Sequence, residues 1–252
     1  TIDKSGAYTC AGTSVGSDAF TYTIVDFDGD PATATLTVTV SDIDTVPCVQ
    51  NVTRVVDETA LDDSGTQTLT GTLVVDYAAD GPGTVTPTGA GSFAAGGSLA
   101  GGALTSHGVP VVVTLVGNTY TGVAGGVTIF TLQVNTNGTY TFKQFEQIDH
   151  ADKTNPDDVI SLNFGFTATD TDGDVANGTI TVNVKDDGPV AVNDTATLGS
   201  APGSVSGNVL SNDDAGADEP AVVTKVTFGG VTYNVPAVGV LTVTGAHGTL
   251  TI

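Results

Sequence analysis

One stretch of this chain occurs twice, and it restricts the fold more than any other feature of the sequence. Phe20 to Asp44 reads FTYTIVDFDGDPATATLTVTVSDID, and Phe164 to Gly188 reads FGFTATDTDGDVANGTITVNVKDDG. At a constant offset Asp26, Asp28 and Asp30 fall on Asp170, Asp172 and Asp174, while Val40 and Asp42 fall on Val184 and Asp186. From Ala32 to Val40, threonines at 33, 35, 37 and 39 alternate with Ala34, Leu36, Val38 and Val40, the period of a strand with one buried and one solvated face. Asp28-Gly29 and Asp172-Gly173 lie between the strands, where a hairpin needs residues that tolerate positive φ. The pattern predicts a β-hairpin with an acidic tip and an acidic exit. Its duplication predicts modules in series rather than one globule.

Composition agrees with an all-β chain. There are 33 Gly and 10 Pro with no Met and no Trp, Thr, Val and Ala are frequent, and no segment shows helical periodicity. No apolar run approaches the roughly twenty residues of a membrane-spanning helix. The first residues lack the charged start and apolar core of a signal peptide. With 28 acidic residues against 6 basic ones, the net charge of -22 argues against nucleic acid or an anionic membrane as partner. The carboxylates cluster in loops and between modules, where their mutual repulsion is greatest. Such clusters suit calcium, which takes six to eight oxygens from flexible loops.

Taken in order, the chain opens on a turn and strands to Val40, then an acidic linker, Asp42 to Gln50. A central module follows, with strands expected near Leu69 to Asp76, Val109 to Val116, Val127 to Val134, Thr139 to Phe145 and Val159 to Thr169, closed by the second hairpin copy. Short strands at such intervals predict a sandwich. Thr86 to Ala103, rich in Gly and Ala with a lone Phe93, reads as a long surface loop. Gln147 to Asp158 (QIDHADKTNPDD) reads as a solvated turn or as a further calcium loop through Asp149, Asp152, Asp157 and Asp158; the single His150 is weak evidence for a transition-metal ligand. After a second linker, Asp186 to Pro189, strands are expected near Val222 to Phe228, Val231 to Val235 and Val238 to Thr244, ending in HGTLTI. Thr251-Ile252 repeats Thr1-Ile2, and overlaying the dipeptides gives HGTLTIDKSGAYT, an uninterrupted hairpin. The expected organisation is therefore 1–44 and 189–252 as complementary halves of one sandwich, flanking a complete sandwich at 45–188.

The expected calcium ligands are Asp26, Asp28, Asp30 and Asp42 with Asp57 or Glu58 at the first junction, and Asp170, Asp172, Asp174 and Asp186 with Asp187 or Asn193/Asp194 at the second. In an oxidising compartment Cys10 and Cys48, the only cysteines, would close a loop of about 39 residues, stabilising by roughly 3–4 kcal/mol on the chain-entropy estimate. The other reading is a pair of buried thiols. No basic neighbour activates either thiol for catalysis. Ser106-His107 is no catalytic pair, because adjacent strand residues point to opposite faces.

The spliced outer module, from VAVNDTATL and GNVLSNDDA through GTLTI to DAFTYTIVDFDGD and ATATLTVTV, resembles a VCBS-type, cadherin-like repeat. The central module, with VVDETAL, GTLVVDYAADGPG, QIDHAD and FTATDTDGD, resembles the longer repeat that alternates with such modules in giant RTX-type bacterial adhesins. The resemblance covers nearly the whole chain and implies type I secretion, an extracellular or cell-surface location, and calcium-stiffened Ig/cadherin-like modules joined head to tail. The chain departs from the pattern in lacking the RTX nonapeptide and in carrying cysteines. Its DxDGD loops are not EF-hands either, since Gly takes the fourth place and Thr37 and Thr181 stand where the bidentate Glu belongs. The expected function is a structural repeat of an adhesin or filament. A calcium-dependent module binding a glycan or peptide is the alternative, and no enzymatic activity is expected.

Overall fold

The computed structural model describes residues 2–8, 16–41 and 45–252, the side chains of 62–64 and 79 excepted. The chain is nearly all β. An isolated hairpin pairs β1 (Gly16–Val25) with β2 (Pro31–Val40) in antiparallel register. The central strands are β3 (Cys48–Val49), β4 (Val52–Asp57), β5 (Gln67–Thr72), β6 (Val75–Asp76), β7 (Thr84–Pro87), β8 (Ala94–Gly97), β9 (Thr105–Ser106), β10 (Val109–Pro110), β11 (Val112–Val116), β12 (Thr119–Ala124), β13 (Val127–Val134), β14 (Thr139–Gln144), β15 (Val159–Thr169) and β16 (Val175–Lys185). Two small hairpins follow, β17 (Lys225–Phe228) with β18 (Val231–Asn234), and β19 (Thr242–Thr244) with β20 (Thr249–Thr251).

Two five-stranded sheets make the central sandwich. One runs β11-β12-β13-β14-β5; the other runs β4-β16-β15, with β7 and β8 on the outer edge of β15 near its two ends. Strand β4 lies parallel to β16, with Val52 against Ile180 and Asp57 against Lys185. The period of two decides the core: β15 buries Ile160, Leu162, Phe164, Phe166 and Ala168, and β16 buries Ile180, Val182 and Val184. From the facing sheet come Tyr120, Phe130, Leu132, Val134, Tyr140 and Phe142. Ile129 and Phe130 are both buried although adjacent, because the register slips between Gly122 and Val123 and a bulge re-aims the strand. Phe164 is the centre of the ring cluster, 5.2 Å from Phe93, 5.3 Å from Tyr120 and 5.9 Å from Phe130.

Gly71, Gly122 and Gly178 stand opposite Tyr140, Phe130 and Phe166 on neighbouring strands, and each aromatic ring occupies the space a Cβ would need. That explains β12, which sequence periodicity does not predict: its glycine is a seat for a ring rather than a turn. The segment from Thr86 to Ala103 also differs from the expected surface loop. It contributes the end of β7 and all of β8 to the sheet, and Phe93 packs into the core. Gly97, at φ 87°, lies so close to the carbonyl of Val159 that no side chain fits there.

Among the described residues every buried hydrophobic except Val243 lies between Val52 and Val184. The flanking hairpins leave their apolar faces in solvent: Phe20, Tyr22 and Ile24 of β1 are 48%, 41% and 61% exposed. Replacing Gly178 by Ala should destabilise the central sandwich by about 1–3 kcal/mol, because the new methyl meets the Phe166 ring. Gly207→Ala, where nothing lies within 4 Å, should change stability by less than about 0.5 kcal/mol. Denaturant unfolding of both variants checks the difference.

Candidate functional site

The acidic hairpin tips fold alike in both copies. The amide of Asp170 donates to the carbonyl of Asp174 at 3.1 Å, and Asp170 Oδ1 accepts the amides of Gly173 and Asp174 at 3.0 and 2.7 Å. Asp26 accepts Gly29 and Asp30 at the same 3.0 and 2.7 Å. The glycine is required, since Gly29 and Gly173 have φ of 101° and 110°. Asp26, Asp28 and Asp30 are exposed, with carboxylate oxygens within 4.8 Å of one another.

The second tip gains a partner. Asp80, from the turn after β6, joins Asp170 and Asp172 within the same 4.8 Å. Thr171 Oγ1 donates to the Asp80 carbonyl, and the Thr45 amide (3.1 Å) and hydroxyl donate to Asp80 Oδ2, so the incoming linker is tied to this cluster. Burial works against an ionised Asp170, yet Asp172 and the amides of Gly173 and Asp174 outweigh it and hold its pKa below the ordinary value. Asp172 is pushed the other way by its hydrogen bond with Asp170 and by the charges of Asp170 and Asp80. A proton or a cation between adjacent carboxylates of this kind relieves their repulsion.

The opposite end of the sandwich gathers a different set. The parallel pairing of β4 with β16 brings Glu58, which begins the 3-10 turn Glu58–Ser64, beside Asp186. His150 enters from the segment between β14 and β15, its backbone bridged to Leu99. Ligand atoms of Glu58, His150 and Asp186 lie within 4.8 Å of one another. The buried glutamines continue a core row as a polar chain: the Asp57 amide donates to Gln67, Gln67 to Gln144 (2.8 Å), and Gln144 to Glu58 Oε1 (2.5 Å), which also accepts the Ile148 amide at 2.9 Å. His150 Nδ1 meets Asp158 Oδ1 at 2.6 Å, and Asp158 Oδ2 accepts Ser98 Oγ and the Asp152 amide. Burial pushes Glu58 up to about 9 against the pull of the Ile148 and Gln144 hydrogen bonds. Burial also lifts Asp186 to about 6, opposed by the charge of His150. The charge of Asp218, on the C-terminal segment, adds to both shifts.

These positions correct the expected groupings. Asp170, Asp172 and Asp174 do not meet Asp186, Asp187 or Asp194, because the full length of β15–β16 separates the tip from the exit. Glu58 and Asp57 belong to the exit end, not with Asp26, Asp28 and Asp30. Asp57 is engaged by Lys185 Nζ at 3.1 Å and by Thr59, and Lys185 also holds Asp157 at 2.6 Å. Asp187 ties the exit linker, accepting Thr59 Oγ1 and the Ala217 amide, whereas Asp194 is exposed. Gln147 to Asp158 is part core and part solvated turn, not one calcium loop: Gln147, Ile148, Asp158 and the His150 ring are buried, Ala151 to Asp157 are exposed, Asp152 caps its own turn, and Asp149 accepts the Gly108 amide. Asp80 carries no sequence signal of its own, since only the fold brings its turn to the tip. Asp42 and Cys10 lie outside the described residues; Cys48 is exposed on β3 and has no disulfide partner among the described residues.

Residues 53–183, just over half of the chain, match the family described as "Domain of unknown function (DUF5801)". No curated protein matches.

Asp158→Ala should destabilise the protein by about 3 kcal/mol, because it strips a buried His150, Ser98 and the Asp152 amide of their partner at once. The Asp158 carboxyl is itself burdened by burial but held below its ordinary pKa of 3.8 by these bonds. Its contribution is therefore complete above that value and lost as the pH falls through the lowered folded-state pKa, so parent and variant should converge in acid. Denaturant unfolding across a pH series checks this.

Proposed function

The chain belongs to the DUF5801 family, and we propose that it is a structural repeat unit of a secreted bacterial adhesin or filament, its modules joined head to tail and stiffened by calcium. The observation that carries this reading is the linker attachment at the entry end. Thr45 donates twice to Asp80, and Asp80 shares its cluster with Asp170 and Asp172. All the donors there are oxygens, the chemistry that calcium selects. An ion held by that cluster would fix the angle at which the linker leaves the sandwich. The resemblance to RTX-type repeats supports type I secretion and a place at the cell surface.

Head-to-tail joining is supported by the apolar faces of the outer segments. In the β1–β2 register Phe20 stands opposite Leu36, and Tyr22 opposite Ala34; Phe20 and Tyr22 keep 48% and 41% of their surface exposed, with the turn at residues 2–8 beside Tyr22, Ile24 and Leu36. Phe228, Val231 and Leu250 of the C-terminal hairpins are 50%, 53% and 49% exposed. Residues 189–252 of one unit and 1–44 of the next complete each other in this reading, as neighbours in one long chain or between chains. Such a contact is heterologous and propagates without closing.

No helix among the described residues is long and apolar enough to cross a membrane. Calcium at about 100 times its dissociation constant should raise the melting temperature of the central sandwich by about 5–10 °C. Asp80→Asn combined with Asp172→Asn should abolish that increment and leave the melt in chelator unchanged; equal losses in both conditions would remove the calcium site. Light scattering and electron microscopy should show assemblies that lengthen with concentration, and Phe20→Ser with Ile24→Ser should suppress them. A parent chain that stays monomeric at every concentration would discard joining between separate chains.

A further inference from the structure

At the exit end of the sandwich two buried atoms face each other without a bond. Glu58 has one oxygen, Oε1, filled by Gln144 and Ile148, and the other, Oε2, has no hydrogen-bond partner among the described residues. His150 spends Nδ1 on Asp158, and its Nε2 has no hydrogen-bond partner among the described residues, only the longer contact to Glu58 Oε2. The two atoms are 3.7 Å apart, and the side chains are 1% and 2% exposed. That separation is too long for a hydrogen bond, and two buried polar atoms left in this state each cost about 1–3 kcal/mol. Asp186 supplies a third ligand atom within 4.8 Å.

We infer that Glu58 Oε2, His150 Nε2 and Asp186 form a binding site for a divalent transition ion of the zinc class, distinct from the oxygen-only cluster at the entry end.

The geometry suits that ion. A cation bonded to Nε2 and Oε2 at about 2.1 Å each would subtend roughly 125° between them, within the range of a distorted tetrahedral site. The short contact from Nδ1 to the Asp158 carboxylate fits a proton on Nδ1, which leaves Nε2 as the ring nitrogen available to an ion. A carboxylate behind a histidine in this manner is the usual arrangement behind a zinc ligand, fixing both tautomer and ring orientation. Asp158 is in turn held by Ser98 and the Asp152 amide, so the ring cannot swing away without breaking a buried network. Calcium suits this site less well, because an imidazole nitrogen takes one of only three donors and calcium seeks six to eight oxygens. The carboxyls of Asp186 and nearby Asp218 favour a cation there, and an ion bound to Glu58 Oε2 would take the place of the proton that burial holds on that group. This inference does not rest on the calcium reading, and either can fail alone.

The test uses the full 252-residue chain, stripped with chelator and then titrated with zinc by equilibrium dialysis in excess calcium. One zinc per chain is expected. His150→Gln and Glu58→Gln, checked for folding by circular dichroism, should abolish that binding, and Asp158→Asn should weaken it by roughly 10- to 100-fold while leaving all three ligands in place. Asp172→Asn, at the other end of the sandwich, should bind zinc as the parent does. No bound zinc in the parent, or zinc retained at parental affinity by folded His150→Gln or by Asp158→Asn, would overturn the site.

Discussion

The antiparallel pairing of β15 with β16 is the constraint on which the rest depends. Its register runs unbroken from Val159 against Lys185 to Thr169 against Val175. One face of this ribbon supplies half the core, and the ribbon's length sets the length of the module, roughly 35 Å at the usual rise per strand residue. Because β4 runs parallel to β16, the chain passes the tip before it forms the sheet and leaves, at Asp186, from the far end. Entry and exit are therefore at opposite poles. A sandwich threaded in that direction extends a series of modules, whereas one with both termini at a single pole would hang from it as a branch.

The same ribbon decides what the acidic residues can do. A carboxylate pair separated by the length of the hairpin cannot share an ion, whatever its spacing in sequence. The ends consequently solve the burial of charge in different ways. At the tip Asp172 is exposed and Asp80 half-buried, and the buried Asp170 is held by the backbone amides of its own loop. At the exit the core row Tyr140, Phe142, Gln144 runs on as a polar chain through Gln144 to Glu58, each member satisfied by the one before. Such a chain has to terminate, and it terminates at Glu58 Oε2. Burial of that group without a partner accounts for its raised pKa, and it is the reason a proton or a metal must be considered there at all.

Much of the sandwich was legible in the sequence because alternation reports burial directly. Val127–Val134 and Val159–Thr169 fall where the pattern puts them, and the duplicated DxDGD segment folds as the same loop twice. Glycine is where the reading failed, since Gly97 and Gly122 look like loop residues and are in fact places where a carbonyl or a ring approaches the backbone. Local pattern carries the conformation a residue prefers, not the neighbour that demands its absence of a side chain. The site was legible in its residue types and not in its groupings. Glu58 and Asp186 were recognisable as acids beside linkers, but their meeting follows from a parallel strand pairing, and His150 becomes meaningful only when Asp158 and Ser98 close behind it.

The two poles are chemically unlike, and that difference gives the unit a direction. One presents oxygens alone around an entering linker; the other presents a nitrogen among buried carboxylates beside an exit linker held through Asp187. In the head-to-tail series proposed above, reversing a unit would place unlike clusters against the wrong linker. In that proposed series the β1–β2 hairpin and the C-terminal hairpins would favour the same order, since they differ in sequence and one cannot replace the other. Polarity in an assembly usually has to be imposed by an asymmetric contact. In the proposed series it would already follow from the direction in which β4 joins the sheet.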